Sequence, residues 1–177
     1  IDHFYIPDIF LTDKMIIEGE GWSIQSIYTP GHLSDHMSFA LLGRDMLFSG
    51  DLVMGWSTTL ISPPDGDVTQ FRKSLNRLLL RKENIYLPGH GKPIFAAKEM
   101  VQSQLKHREM RERQILDELF KEPGSSTVLA KRIYLDIDQR LIPAAARNVL
   151  AHLIDLLGRG RISVNEPLNK DSTFYNI

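Results

Sequence analysis

The sequence predicts an α+β protein with a strand-rich first half and a helical second half. Two observations support this prediction. Short apolar runs broken by Gly, Pro and Asp fill about the first 90 residues, as in a sheet of short strands. Beyond residue 96, apolar residues recur at the three-and-four spacing of amphipathic helices. We therefore expect a sheet followed by a second, mostly helical domain.

The first half contains four strand-like runs and then a strand–helix–strand order. The runs are residues 15–18, 22–28, 37–42 and 46–49. Gly-containing turns inside the first and second pairs of runs favour two hairpins. Residues 68–80 then carry apolar side chains at helical spacing, and residues 85–87 return to a strand. Asp67 directly precedes this helix, so we expect it to be the N-cap.

The second half predicts helices followed by a short wing. Residues 96–120 form a charged amphipathic pattern that stops at a Glu-Pro-Gly break. Ser126 and Thr127 can then cap a helix through Tyr134, and Pro143 can open another through Leu157. Residues 161–164 alternate like a strand. This order is typical of a winged helix, with Tyr134 and Leu153 expected in its core.

Composition limits the classes of function. The 177 residues are 42% hydrophobic with a net charge of −1 and no run of eighteen apolar residues, which predicts a soluble globular protein without a membrane span. The absence of Cys and of a leader-like start predicts a cytoplasmic protein without thiolate ligands. The near-neutral charge gives no overall electrostatic footprint for nucleic acid.

Three motifs place a metal-capable side chain on a turn bracketed by Gly. They are Gly-His-Leu-Ser-Asp-His, Ser-Gly-Asp and Pro-Gly-His-Gly, which contain His32, Asp51 and His90. Taken singly, each is more typical of a polar loop than of a ligand. Together they lie at the ends of apolar runs, too far apart in sequence for one helix or hairpin. We therefore expect the fold to bring the three side chains to one edge of a sheet as metal ligands.

These motifs resemble the metallo-β-lactamase superfamily, which has a Thr-Pro-Gly-His turn, an Asp after Gly and a Gly-His-Gly turn in the same order. Here they read Tyr-Thr-Pro-Gly-His, Phe-Ser-Gly-Asp and Leu-Pro-Gly-His-Gly. The resemblance continues through residues 62–67 and 107–109 into the tail, and favours the branch with a C-terminal winged helix. It implies the second half of an αβ/βα sandwich at residues 1–106, a partial metallo-β-lactamase domain, and a winged-helix-like domain at residues 107–177.

The resemblance implies a metal-dependent hydrolase that acts on an ester, thioester or related small substrate. His32, Asp51 and His90 would be its metal ligands in this chain, with Asp51 bridging two zinc ions and serving catalysis. The superfamily's first metal motif, His-x-His-x-Asp-His, does not occur in these residues and lies upstream in the family. We therefore expect the N-terminal half of an intact parent to be missing, which predicts an inactive fragment with absent or partial zinc. Uncovered apolar sheet would favour a homo-oligomer.

Five further residues are candidates for supporting or substrate-side roles. His36 is interpreted as a hydrogen-bonding support for the site. Asp35 could accept from an imidazole N–H or, equally, bond its own backbone in a turn. The loop with Trp56, Ser57 and Thr58 follows Asp51 and offers one apolar face and two hydroxyls to a substrate. The alternative for Trp56 is a place in the core.

Two other functions stay open. The first is an endoribonuclease of the same superfamily, favoured only by the winged-helix tail and by analogy. The second is a non-catalytic binding module. Arginines in the tail are interleaved with acidic residues rather than collected on one face, so nucleic acid is a possible but less favoured partner than a small molecule.

Overall fold

The computed structural model describes residues 6–165, 167–169 and 171–177. In chain order the elements are β1 (Ile16–Gly19), β2 (Trp22–Tyr28), β3 (Met37–Leu41), β4 (Met46–Gly50), α1 (Val68–Leu79), β5 (Ile85–Pro88), α2 (Ala97–Lys121), α3 (Ser126–Ile133), a short 3-10 helix (Gln139–Leu141), α4 (Ile142–Gly158), β6 (Ile162–Val164) and β7 (Phe174–Asn176). This mixed α and β architecture confirms the predicted fold class.

Strands β1 to β5 form one sheet in sequence order. The first three pairings are antiparallel, and β5 pairs with β4 in parallel after the crossover through α1. Asp67 caps α1, as predicted, because its carboxylate accepts a 2.7 Å hydrogen bond from the backbone N–H of Gln70. Strands β2 and β4 run in the same direction as β5, so all three end at one edge of the sheet.

The two faces of this sheet differ. One face is closed, since Ala40, Leu47 and Tyr86 are fully buried and share a core with Phe71 and Leu75 of α1. The alternate positions on the same strands form the open face, where the side chains are partly exposed or exposed. The residues of this open face on β3, β4 and β5 are Phe39, Leu41, Met46, Phe48, Ile85 and Leu87.

A second core belongs to the tail. Leu153 is fully buried there and partly buried Tyr134 packs against it, as predicted. Ser125, rather than Ser126 or Thr127, caps α3, because Ser125 has extended backbone and its side chain accepts from Val128 N–H. The alternating pattern at residues 161–164 is strand β6, and its partner β7 was not predicted because residues 174–176 do not alternate between apolar and polar side chains.

Helix α2 contributes to both cores. Val101 packs in the first core, while Ile115 and Leu119 pack in the second. The predicted domain boundary at residues 106 and 107 therefore falls inside a continuous helix, and that boundary stays a prediction.

Helix α4 is the one described segment whose length and composition would suit a membrane. Residues 139–158 contain an 18-residue window with a mean hydropathy of 1.3, but 56% of that window is buried within the fold. Its Ala145, Val149 and Leu156 belong to the second core. A core helix of a globular domain has the same character, so this pattern is weak evidence for a span.

Candidate metal centre

The three predicted ligands lie on loops at the same edge of the sheet. Asp51 directly follows β4, His90 follows β5 by two residues, and His32 follows β2 by four. The common direction of these strands explains why residues far apart in sequence meet there. The structure therefore brings together the side chains that sequence analysis selected, while their role as ligands stays a prediction.

The Asp51 carboxylate lies between the two imidazoles. Its Oδ2 is 3.9 Å from His32 Nε2 and 3.7 Å from His90 Nε2. Both separations exceed hydrogen-bonding distance. They suit atoms that bind a common ion, because two donors each about 2.0–2.2 Å from one zinc ion lie at most about 4.4 Å apart. Asp51 Oδ1 is buried and has no hydrogen-bond partner among the described residues.

A backbone contact orients the His32 ring. His32 Nδ1 lies 2.8 Å from the carbonyl oxygen of Leu60. A carbonyl only accepts, so Nδ1 is the donor of this hydrogen bond, and Nε2 is the ring nitrogen that faces Asp51. Metal-binding histidines commonly donate their second N–H to a backbone carbonyl in this way.

Two glycines allow Asp51 to sit where it does. Gly50 has φ of +54°, a left-handed conformation that non-glycine residues seldom adopt. A Cβ on Gly89 would lie 2.6 Å from Asp51 Oδ1, so the absence of a side chain there leaves space for the carboxylate. The Gly89 N–H also donates to the Gly50 carbonyl at 3.0 Å, which joins the two ligand-bearing turns.

His36 supports the site through its contacts with Thr29 and Gly50. Its Nδ1 hydrogen-bonds the Thr29 hydroxyl at 3.0 Å, and its Nε2 faces Gly50 so closely that a Cβ there would lie 2.6 Å away. Burial, together with the neighbouring His32, lowers the pKa of His36 below its usual value of 6.5. The lowered pKa favours the neutral form of His36. Its ring packs edge-on to the His32 ring, with ring centroids 6.4 Å apart.

The other candidates occupy exposed positions near the site. Asp35 is exposed, and its carboxylate makes no hydrogen bond to any residue that the structure describes. Trp56 is 70% exposed, which excludes the core alternative for this side chain. Ser57 is exposed and donates to the Thr58 carbonyl at 3.2 Å, while Thr58 is half-buried.

A cavity of about 400 Å³ opens beside Trp56. Its lining includes Gly91, Lys92, Ile94 and Met100, so it joins the Trp56 loop to the turn that carries His90. The Trp56 ring lies over Gly91, where an added Cβ would be 2.7 Å from the indole. The cavity is therefore largely apolar and reaches the residue that follows His90.

Thr59 lies at the end of the loop predicted to face a substrate, but sequence analysis missed its contact with Asp51. Its hydroxyl donates a 2.6 Å hydrogen bond to the Asp51 carbonyl and lies 3.2 Å from that of Leu52. Leu60 was missed as well, because it contributes through its backbone carbonyl. No sequence pattern marks a residue that acts through its main chain.

The donor set fits a divalent metal but does not complete a site. Imidazole nitrogen and carboxylate oxygen are ordinary zinc ligands, and the unpartnered Asp51 Oδ1 is the atom that a second ion would satisfy. Across the described ranges, no group of three or more His, Cys, Asp or Glu side chains is close enough to hold an ion by itself. Further donors would be required.

Comparisons with known proteins agree with this geometry. Residues 1–90 match the metallo-beta-lactamase superfamily, and residues 125–167 match the beta-lactamase associated winged helix domain. The chain is 33% identical over 159 residues to a beta-lactamase-like protein 2 homolog of Drosophila melanogaster, covering 88% of this chain and 52% of that protein. It is 33% identical over 106 residues to an atrochrysone carboxyl ACP thioesterase of Aspergillus fumigatus, covering 60% and 32%.

A solved structure shows the same fold. A metallo-beta-lactamase family protein from Thermus thermophilus superposes with a TM-score of 0.83 at 21% identity, over 94% of this chain and 54% of that one. The chain thus spans about half the length, or less, of these proteins. The matches to both parts of the sequence establish that this chain belongs to the metallo-beta-lactamase superfamily and carries its associated winged helix domain.

Proposed function

We propose that the protein is a metal-dependent hydrolase in which His32, Asp51 and His90 bind zinc. The observation that carries this proposal is the placement of Asp51 Oδ2 within 3.9 Å of both imidazole Nε2 atoms, beside an Oδ1 that has no partner in the described structure. Related proteins of the superfamily support a hydrolytic activity, and the superfamily typically binds divalent metals.

Each residue has a definite task in this proposal. Zinc, when bound, lowers the pKa of a bound water to about 7 and so supplies a nucleophile at neutral pH. Asp51 would hold the metal through its carboxylate, whose Oδ1 has no other partner in the described structure. The Leu60 carbonyl orients the His32 ring so that its Nε2 is available to bind the metal. The exposed His90 would bind through its Nε2, which lies 3.7 Å from Asp51 Oδ2.

Three donors are too few for two four-coordinate ions. We therefore propose that the other ligands come from residues outside these 177, in the His-x-His-x-Asp-His motif that the family resemblance places upstream. The chain spans only 52% of its Drosophila melanogaster relative, which leaves room for such a segment in a whole protein.

We propose a small acyl thioester as the substrate class. One relative is named as an acyl carrier protein thioesterase, and the cavity beside the exposed Trp56 is largely apolar with Lys92 at its rim. An apolar acyl group suits the indole face and Ile94, while a cation suits an anionic group on the leaving thiol. Ser57 and Thr58 lie on the same loop and can orient polar parts of the substrate.

The test compares two substrates on the full-length protein. Zinc-loaded protein is incubated with a short acyl thioester and, separately, with labelled single-stranded RNA, each with and without a chelator. We expect chelator-sensitive thioester hydrolysis. Chelator-sensitive cleavage of RNA alone would replace the proposal with the endoribonuclease, whereas a protein that retains no zinc after loading and acts on neither substrate would favour the binding module.

A matched pair of variants connects the activity to the site. Asp51→Asn is expected to lower kcat/KM at least about 100-fold, because even residues that only support metal ligands are worth about 10–100-fold. Asp35→Asn changes an exposed neighbouring carboxylate and is expected to leave kcat/KM unchanged. Equal losses in both variants would contradict the assignment of Asp51.

A further inference from the structure

We propose that Arg108 of helix α2 is a positioning residue for the candidate ligands, acting through the dipeptide formed by Thr59 and Leu60. This inference rests on the proposed function for the identity of the ligands. It gives the winged-helix side of the molecule a role in the metal centre that does not involve nucleic acid.

The dipeptide holds both ligands at once. The Leu60 carbonyl accepts from His32 Nδ1 at 2.8 Å, and the Thr59 hydroxyl donates to the Asp51 carbonyl at 2.6 Å. Thr59 is 1% exposed. A shift of these two adjacent residues would therefore disturb the His32 ring and the Asp51 backbone together.

Arg108 holds this dipeptide at the Thr59 carbonyl. Its Nη2 donates to the Thr59 carbonyl, and its Nη1 donates to Asn148 Oδ1 of α4 at 2.9 Å. The guanidinium also lies over the Phe71 ring, 5.1 Å from its centroid. Because the peptide group is planar, holding the Thr59 carbonyl also fixes the orientation of the Leu60 N–H, and so anchors Leu60 directly before the carbonyl that His32 contacts.

Stability alone is a poor explanation for this arginine. Arg108 is 0% exposed and forms no ion pair with a carboxylate in the described structure. Burial, together with nearby Arg111 and Arg72, lowers the pKa of Arg108 to about 10, so the side chain is still charged at neutral pH. A buried cation with only neutral acceptors is costly, and an apolar side chain of similar length would fill the same space without that cost. The donors it provides to Thr59 and Asn148 distinguish it from such a side chain.

The first readout is the His32 ring itself, measured without metal on the full-length protein. The Nδ1–H proton resonance is assigned by its loss in His32→Gln. Arg108→Met keeps a long apolar stem but removes the donors, and we expect the His32 signal to broaden or disappear while circular dichroism shows a folded chain. Arg108→Lys keeps one donor and is expected to restore part of the signal.

The control lies one turn along the same helix. Arg111→Met removes another largely buried arginine, whose guanidinium stacks on Tyr134 at 3.9 Å and does not contact the dipeptide. We expect the His32 signal to persist in this variant. If Arg111→Met abolishes it as Arg108→Met does, or if Arg108→Met leaves it intact, the inference is wrong.

The second readout is zinc affinity of the full-length protein, measured by competition with a chromophoric chelator. Arg108→Met is expected to weaken binding by about 10–100-fold, the usual effect of losing a residue that orients a ligand. Unchanged affinity would contradict the inference. If wild-type protein binds no zinc, the proposed function fails, whereas the His32 signal still decides the role of Arg108. If Arg108→Met does not fold, Asn148→Leu removes the other acceptor of the same guanidinium, and an unaltered His32 signal there would also contradict the inference.

Discussion

The two faces of the five-stranded sheet use the same strands with opposite results. Leu47 points to the face covered by α1 and is 0% exposed, while its neighbour Phe48 points to the other face and is 42% exposed. Both positions are large and apolar, as in a sheet that is covered on both sides. The sequence of this sheet is therefore apolar on both faces, as in a sheet covered on both sides, but only one face is covered in the structure. The candidate metal centre lies at the edge of the sheet where β2, β4 and β5 end.

The largest expected effect is a difference in the free energy of unfolding between substitutions on the closed face and on the open face. Leu47→Ala should lower the free energy of unfolding by about 2–5 kcal/mol, because it leaves a cavity in a closed core. Phe48→Ala should cost about 1 kcal/mol or less, since much of that ring already contacts water. Chemical denaturation of both variants measures the difference. Similar losses would mean that the open face is packed as tightly as the closed one.

The second prediction concerns the pH dependence of the closed side. His152 of α4 is fully buried, and neither ring nitrogen has a partner in the described structure. Burial, with nearby Arg108, Arg72 and Arg111, lowers the pKa of His152 well below the usual 6.5. The unfolded chain therefore binds a proton that the folded chain does not, and stability must fall as the pH drops below about 6.5.

His152→Gln tests this sign. Removing the group should reduce the loss of stability on acidification by up to about 1.4 kcal/mol per pH unit, the value of one proton. Urea unfolding of wild type and variant at pH 7.5, 6.5 and 5.5 gives the slopes. Identical slopes in the two proteins would show that His152 does not contribute.

A smaller effect is expected from the cap of the helix that closes the sheet. Asp67→Ala should cost about 1 kcal/mol by removing the acceptor of the Gln70 N–H, while Asp67→Asn keeps an oxygen there and should cost less. Thermal melts of the two variants make the comparison. Equal melting temperatures would argue against a capping role.

The last of these predictions concerns association through the open face. We expect the 177-residue chain to self-associate, because paired apolar positions such as Phe39 and Phe48 are left partly in contact with water. Phe48→Ser should weaken the association, and Leu80→Ser should not, since Leu80 is 90% exposed but lies at the end of α1. Sedimentation over a range of concentrations provides the measurement. A wild-type monomer at all concentrations would contradict the expectation.

Much of the sheet could be predicted from the sequence because local signals suffice there. Alternation, Gly turns and the Asp67 cap determine β2, the hairpins and α1 without knowledge of distant contacts. The Gly-bracketed turns similarly marked His32, Asp51 and His90, and strand direction explains their meeting.

Residues that act through tertiary contacts could not be predicted in the same way. Arg108 lies in a run of charged residues that is typical of a solvated helix face, and only the fold shows it to be 0% exposed. Thr59 and Leu60 matter through a hydroxyl and a carbonyl whose partners are eight and 28 residues away. Such contacts depend on loop placement, which no local periodicity records.

Zinc analysis of the full-length protein decides whether His32, Asp51 and His90 form a metal site. Wild type, Asp51→Asn and Asp35→Asn are loaded with zinc, passed over a desalting column and analysed for zinc per chain. We expect about two ions in wild type and in Asp35→Asn, as in a dinuclear site, and a clear loss in Asp51→Asn. Equal zinc in all three proteins, or none in wild type, would contradict the proposed site.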